Sequence, residues 1–277
     1  MTRPEDAVGT LDHVVLLVAD LDAGADLYRR LGFTLSPRGV HSAAMGTANH
    51  TIMLERDYFE LMSVLAPTPR NTGWRARLAA GGGLAGAALT TTDAAAARDL
   101  WRAAGLGCDE PLPFARPVTR ADGSTTEARF EVVTLDGEPD GAADVALRVF
   151  ACAHFTRNAV WLPELTRHAN TAVGLAGLTL AAADPAAVAA AWRRILPAAA
   201  IEPTADGTRV ATGRHMITVR RDAAAVRPRA VGLDLRVADR DRCRAAFVAG
   251  GVRFVETPDR LAVAAADAFG VALGFLG

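Results

Sequence analysis

The chain contains no lysine; all thirty of its permanently cationic side chains are arginine. That excludes Schiff-base chemistry on a lysine and, beside the abundance of alanine, reads as GC-rich coding rather than as function. Cysteine is scarce, and Cys108, Cys152 and Cys243 stand far apart, which excludes a disulfide framework and a CxxC metal knuckle. Charge of either sign is not in excess: 30 basic against 31 acidic residues give a net charge of −1. A footprint for nucleic acid or an anionic membrane surface is therefore missing. No apolar run is long and uninterrupted enough to span a bilayer, and the opening "MTRPEDAVGT" lacks the apolar core of a signal peptide. These absences predict a soluble, cytoplasmic protein whose partners are neither nucleic acid nor membrane. What is present is an ordinary globular balance, 51% hydrophobic and 22% charged. Its 277 residues suit one large domain or two small ones.

The organising feature is a repeat. Four segments align: "LDHVVLLVADLDAGADLYRRLGF" from Leu11, "LAGAALTTTDAAAARDLWRAAGL" from Leu84, "LAGLTLAAADPAAVAAAWRRILP" from Leu175 and "AVGLDLRVADRDRCRAAFVAGGV" from Ala230. Each carries an apolar, strand-like stretch closed by an aspartate (Asp20, Asp93, Asp184, Asp239) and, eight residues on, an aromatic (Tyr28, Trp101, Trp192, Phe247). An aspartate there can cap a following helix by accepting bonds from its free amides. The aromatic, two turns later, faces the sheet. After each helix the sequence reads as short strands: "GFTLSPRGV", "HTIMLER" and "YFELMSVL" in the first unit, and "RFEVVTLDG" and "DVALRVFACAHF" in the second, which also holds the polar insertion "TRADGSTTE". Each unit is thus βαβββ. One such unit leaves an apolar sheet face and must pair to bury it. Units one and two are expected to form a first domain, residues 1–155, and units three and four a second, residues 174–277. Residues 156–173, containing "TRNAVWLPELTRHANTA", form the connector.

Paired βαβββ units opening with "LDHVVLLVADL" and followed by "YRRLGF" resemble the vicinal oxygen chelate superfamily of glyoxalases, extradiol dioxygenases and bleomycin-resistance proteins. Within it, "PRGVHSAAMGTANHTIML", "DYFELM" and "AHFTRNAVWLPELTRHANTA" resemble the glyoxalase-like domain proteins. The resemblance implies an α+β fold of four βαβββ units paired into two tandem cup-shaped vicinal-oxygen-chelate domains. It also implies a divalent metal (zinc, nickel, manganese or iron) held by His and Glu from the first and last strands of a unit. His13, seven residues before Asp20, falls on the first-strand position, and Glu60 on the last-strand position. The other units carry Gly86, Gly177 and Gly232 where His13 stands, and Gly274 where Glu60 stands in the first. Three protein ligands with an open fourth position make a catalytic site, and His154, at the end of the second unit's last strand, is the candidate third.

Blander readings stand beside these. His13 could be a core histidine bonded to a neighbouring carbonyl, since buried polar groups need partners. Glu60 could be paired with Arg38 or Arg116, and His154 could be an exposed strand-end residue. His50, after the turn-like "GTAN", either lines the cavity mouth or stabilises that turn. Arg116 and Trp161 are candidate substrate contacts; Trp161 is also expected to pack the domains together, with His168 and Asn170 bonding loop backbone. Cys152, flanked by apolar residues, reads as an inert buried thiol.

The leading expectation is a metal-dependent enzyme acting on a small oxygenated substrate by isomerase- or lyase-type chemistry through an enediolate-like anion. Glu60 doubles as general base when it is not firmly coordinated. An extradiol dioxygenase is a weaker enzymatic reading, because the second histidine of that pattern is Gly86 or Gly177. The competing class is a non-catalytic small-molecule binding protein of the antibiotic-sequestering kind, with each glycine opening cavity volume in place of an imidazole. Homodimerisation is open in either reading.

Overall fold

Strand-forming and helix-forming stretches alternate along the chain as the repeat implies. The computed structural model describes residues 6–120, 123–135 and 144–277. Part of the polar insertion, the last residues of "RFEVVTLDG" and the first five residues lie outside them. The first module runs β1 (Leu11–Leu17), α1 (Leu21–Arg30), β2 (Gly39–Val40), β3 (Thr47–Met53) and β4 (Tyr58–Val64). Helix α2 (Thr72–Ala79) leads into the second: β5 (Gly83–Thr90), α3 (Ala94–Ala103), β6 (Leu112–Thr119), β7 (Thr125–Thr134) and β8 (Arg148–His154). Past the short helix α4 (Arg157–Val160), the third comprises β9 (Ala172–Ala182), α5 (Pro185–Ile195), β10 (Ala200–Thr204), β11 (Gly207–Thr212) and β12 (His215–Arg221). The fourth comprises β13 (Arg229–Val237), α6 (Arg240–Ala249), β14 (Val255–Glu256), β15 (Arg260–Val263) and β16 (Ala272–Leu276). No helix among the described residues is long and apolar enough to cross a membrane.

The strands form two eight-stranded mixed sheets, ordered β2-β3-β4-β1-β5-β8-β7-β6 and β10-β11-β12-β9-β13-β16-β15-β14. This is the α+β, tandem arrangement of βαβββ units expected from the repeat. By contact the chain also divides into two compact units. One joins modules two and three (Gly86–Ala159 and Gly177–Ala230, with the start of β1 as far as Asp12); the other joins modules one and four (His13–Ala85, Val160–Ala176 and Val231–Gly277).

All four marker aspartates cap their helices. Asp20 accepts from the amides of Asp22 and Ala23, and Asp184 from those of Ala186 and Ala187. Asp93 accepts from the amide of Ala96, and Asp239 from that of Arg242. Each fills part of the orphan donor set of a helix start. Tyr28, Trp101, Trp192 and Phe247 are all fully buried. In the unit of modules one and four, Tyr28, Phe33 and Phe59 cluster within 6 Å of one another's ring centres. Phe33 continues to Phe275, and Phe275 meets Phe247 edge-on at 4.8 Å. In the other unit the Trp101 indole donates to the Ile195 carbonyl at 3.0 Å.

Within each module the first and last strands run parallel in one shared register. His13 lies opposite Tyr58 and Val15 opposite Glu60. The same places are taken by Gly86–Arg148 and Ala88–Phe150, by Gly177–Met216 and Thr179–Thr218, and by Gly232–Ala272 and Asp234–Gly274. The counterparts of Glu60 are therefore Phe150, Thr218 and Gly274. The space at Gly177, one of the three glycines expected to open a cavity, is filled. A Cβ on Gly177 would sit 1.9 Å from the Met216 carbonyl oxygen. One on Gly274 would sit 2.1 Å from Oδ1 of Asp234, which pairs with Arg260 at 3.1 Å.

Candidate metal centre

Side chains alternate along β8, so Phe150, Cys152 and His154 share one face and Val149, Ala151 and Ala153 the other. The second set is buried apolar core, which pins β8 and fixes the direction in which the first set projects. Asp12 completes a group with Cys152 and His154: one ligand atom from each lies within 4.8 Å of the others. The Nε2 atom of His154 is 2.8 Å from Oδ2 of Asp12. Their side chains are only 6% and 2% exposed, and Cys152 is 3% exposed. Phe130, opposite His154 in the ladder, meets the imidazole edge-on at 4.9 Å and fixes its plane. A carboxylate, a thiol and an imidazole converging in a dry place could chelate a divalent ion.

Two of these three candidate ligands escape a reading of the sequence. Asp12 directly precedes His13 and projects from the opposite face of β1, so attention to the histidine passes over it. Cys152 looks inert among apolar neighbours, yet the pattern Cys152-Ala153-His154 was the available signal: alternate residues of a strand share a face.

The other predicted residues are placed as follows. His13 and Glu60 belong to the unit of modules one and four, His154 to the other. His13 is buried and stacks on Tyr58, centroids 4.2 Å apart and planes at 16°. Register puts His13, Tyr58 and Glu60 on one face. Glu60 is 9% exposed and accepts a bond from Nδ2 of Asn49. Arg38 pairs with Asp22 instead, in the open at 3.5 Å. Residues Thr47–Asn49, read as a turn, are strand, because the Asn49 amide has a buried carboxylate to satisfy rather than its own backbone. His50 lies on the opposite face of β3 from that carboxylate, and its Nδ1 donates to the Ser36 carbonyl at 2.8 Å. Arg116 sits on β6 opposite Ala128. Trp161 donates from Nε1 to the Leu54 carbonyl at 3.0 Å and meets Tyr58 edge-on at 5.5 Å.

His168 and Asn170 bond backbone as expected. His168 accepts from the Thr34 amide at Nδ1 and donates from Nε2 to the Met53 carbonyl, and Asn170 donates to the Leu31 carbonyl. Burial holds the His168 pKa below the usual histidine value, against a smaller upward push from the Met53 bond. An open pocket of about 300 Å³ in the unit of modules two and three has Ala182, Val188, Ala191, Val226, Asp144 and Arg227 among its lining residues. None of Asp12, Cys152 and His154 lines it.

Comparison with known proteins gives the family and the fold. A family described as a glyoxalase-like domain matches residues 11–196. No curated protein matches the chain in sequence. A hypothetical protein from Staphylococcus aureus shares the fold with a TM-score of 0.69 at 11% identity, over 96% of this chain and 98% of that one. The 2,3-dioxygenase LapB from Pseudomonas sp. KL28 aligns with a TM-score of 0.60 at 13% identity, over 98% and 92%. A mutant of 4-hydroxymandelate synthase from Streptomyces coelicolor aligns with a TM-score of 0.58 at 16% identity, over 91% and 78%. At these identities the structures establish the fold alone.

Proposed function

Because the chain belongs to the glyoxalase-like domain family, we propose that it is a metal-dependent enzyme acting on a small oxygenated molecule by isomerase- or lyase-type chemistry. The convergence of Asp12, Cys152 and His154 carries this reading. The donor set fits a divalent ion: three protein ligands leave a fourth position for substrate or water, the pattern of catalytic rather than structural sites. Bound there, the ion would supply Lewis-acid polarisation of a substrate oxygen and stabilisation of an enediolate-like anion. The residues themselves hold a proton between His154 Nε2 and Asp12 Oδ2, and their burial excludes bulk water. To take an ion, the His154–Asp12 pair would have to open, because both atoms would turn a lone pair to the metal instead of sharing a proton.

A second reading keeps His13 and Glu60 as ligands, with Glu60 also a proton shuttle. It is favoured by their shared face and by a buried carboxylate whose partner is neutral Asn49. His50, Arg116 and Trp161 are the proposed substrate contacts. The partner is a small molecule in either case; a cytoplasmic location and a homodimer belong to the same proposal.

Elemental analysis of protein purified without chelator, beside Cys152→Ala, His154→Ala, His13→Ala and Glu60→Gln, separates the readings. About one ion per chain, lost from the first two variants and kept in the last two, supports the Asp12–Cys152–His154 centre. Loss from the last two only moves the centre to His13 and Glu60. If zinc, nickel, manganese and iron all fail to load, the enzymatic mechanism falls and small-molecule binding without metal takes its place.

A further inference from the structure

We propose that Cys152 serves as a thiolate ligand, making the centre selective for a thiophilic, four-coordinate ion of the zinc class over hard ions such as magnesium and manganese. The inference rests on the Asp12–Cys152–His154 reading and goes beyond it by naming the kind of ion taken.

The geometry carries it. Cys152 and His154 stand two residues apart on one strand and point from the same face, so both approach a single point beside the Asp12 carboxylate. The register pairs Val132 with Cys152 and Phe130 with His154, and the Phe130 ring closes off the imidazole. Hard ions want six or more oxygen ligands and shed water reluctantly. Here one oxygen-bearing side chain is offered with one sulfur and one nitrogen, in surroundings almost closed to solvent. A thiolate and an imidazole select zinc, cobalt or copper(I), and a mixed set at a tight centre selects tetrahedral coordination. As the sulfur–metal bond forms, the thiol proton leaves to solvent, so no oxidant or reductant is involved.

The test uses cobalt(II) as a coloured stand-in for zinc. The full-length protein is stripped of metal by chelator and dialysed. It is then titrated with cobalt(II) while absorbance is followed in the near ultraviolet, where thiolate-to-cobalt charge transfer appears, and in the visible, where intense d–d bands mark tetrahedral geometry. Equilibrium dialysis counts bound cobalt independently. The expected result is a charge-transfer band saturating at one equivalent, bleached by zinc and untouched by excess magnesium or manganese. Cys152→Ser should lose the band and bind cobalt more than about tenfold more weakly, the lower bound that loss of even an outer-shell partner brings.

Cobalt bound without the band, or a band that persists in Cys152→Ser and so belongs to another cysteine, overturns the thiolate inference while the metal reading stands. Displacement of cobalt by manganese as readily as by zinc overturns the selectivity. No cobalt bound at all overturns both. Asp12→Asn, which keeps a side chain of the same shape, should retain the band with weaker binding, so the outcome does not hang on one variant's folding.

Discussion

Asn49 and Glu60 show how single residues set the character of the first module. The Asn49 amide holds a carboxylate that is 9% exposed, and its own Oδ1 lies against Gly39, where a Cβ would come within 2.6 Å of it. Asn49→Leu would leave that carboxylate oxygen buried without its bond, a loss of about 1–3 kcal/mol, read as a lower urea midpoint at unchanged slope. His168 offers a pH-dependent counterpart. Its folded-state pKa is depressed by burial, so the native ring stays neutral where an unfolded histidine, near pKa 6.5, would take a proton. Unfolding therefore gains a proton as pH falls below that value, and stability declines from there downward. In His168→Gln this part of the decline should vanish. An unchanged slope between pH 7 and pH 5 in that variant would show that other groups drive it.

At the scale of elements, the four aspartate caps are local devices. Asp20→Ala removes two amide contacts at the start of α1 and should cost about 0.5–2 kcal/mol, seen as a lowered melting temperature. Edges obey a different rule. β6, which the sequence does not announce, contains Pro113 and Pro117, residues that argue against a strand because they cannot donate to a ladder. β6 is the last strand of its sheet; it pairs on one side only, with Pro113 opposite Glu131 and Pro117 opposite Glu127. The missing donors face away from the ladder, and the strand is tolerated.

For the whole molecule, the repeat invites the expectation that equivalent positions are interchangeable, and the packing denies it. Trp101 and Trp192 occupy equivalent places, yet the indole of Trp101 bonds the Ile195 carbonyl while that of Trp192 has no hydrogen-bond partner among the described residues. Trp101→Phe should therefore destabilise more than Trp192→Phe, by about the 1–3 kcal/mol of a carbonyl left unpaired. Equal losses in calorimetry would show that ring volume alone matters at both. Gly177→Ala should also destabilise, because its Cβ would meet the Met216 backbone carbonyl, which cannot swing aside as a side chain can. Metal at a hundredfold excess over its dissociation constant should add about 2.7 kcal/mol to the stability of the whole chain, and none to that of His154→Ala.

The sequence by itself determined the repeat, the helix caps, the buried aromatics, the two-sheet architecture and the family. All of these rest on spacings within some twenty residues, where local hydrogen bonds and strand or helix periodicity decide the outcome. It also marked His13 and Glu60 as buried polar residues of one face. Only the tertiary structure decided what stands beside what. Asp12 and His154 are 142 residues apart, and no local periodicity reports on such a pairing. Nor does periodicity say whether the room left by a glycine is empty; at Gly177 a carbonyl fills it and at Gly274 a carboxylate does. Metal-ligand geometry is set by the meeting of strands remote in sequence. The repeat therefore announces the scaffold in four copies, while the group of donors found among the described residues comes from positions that break it.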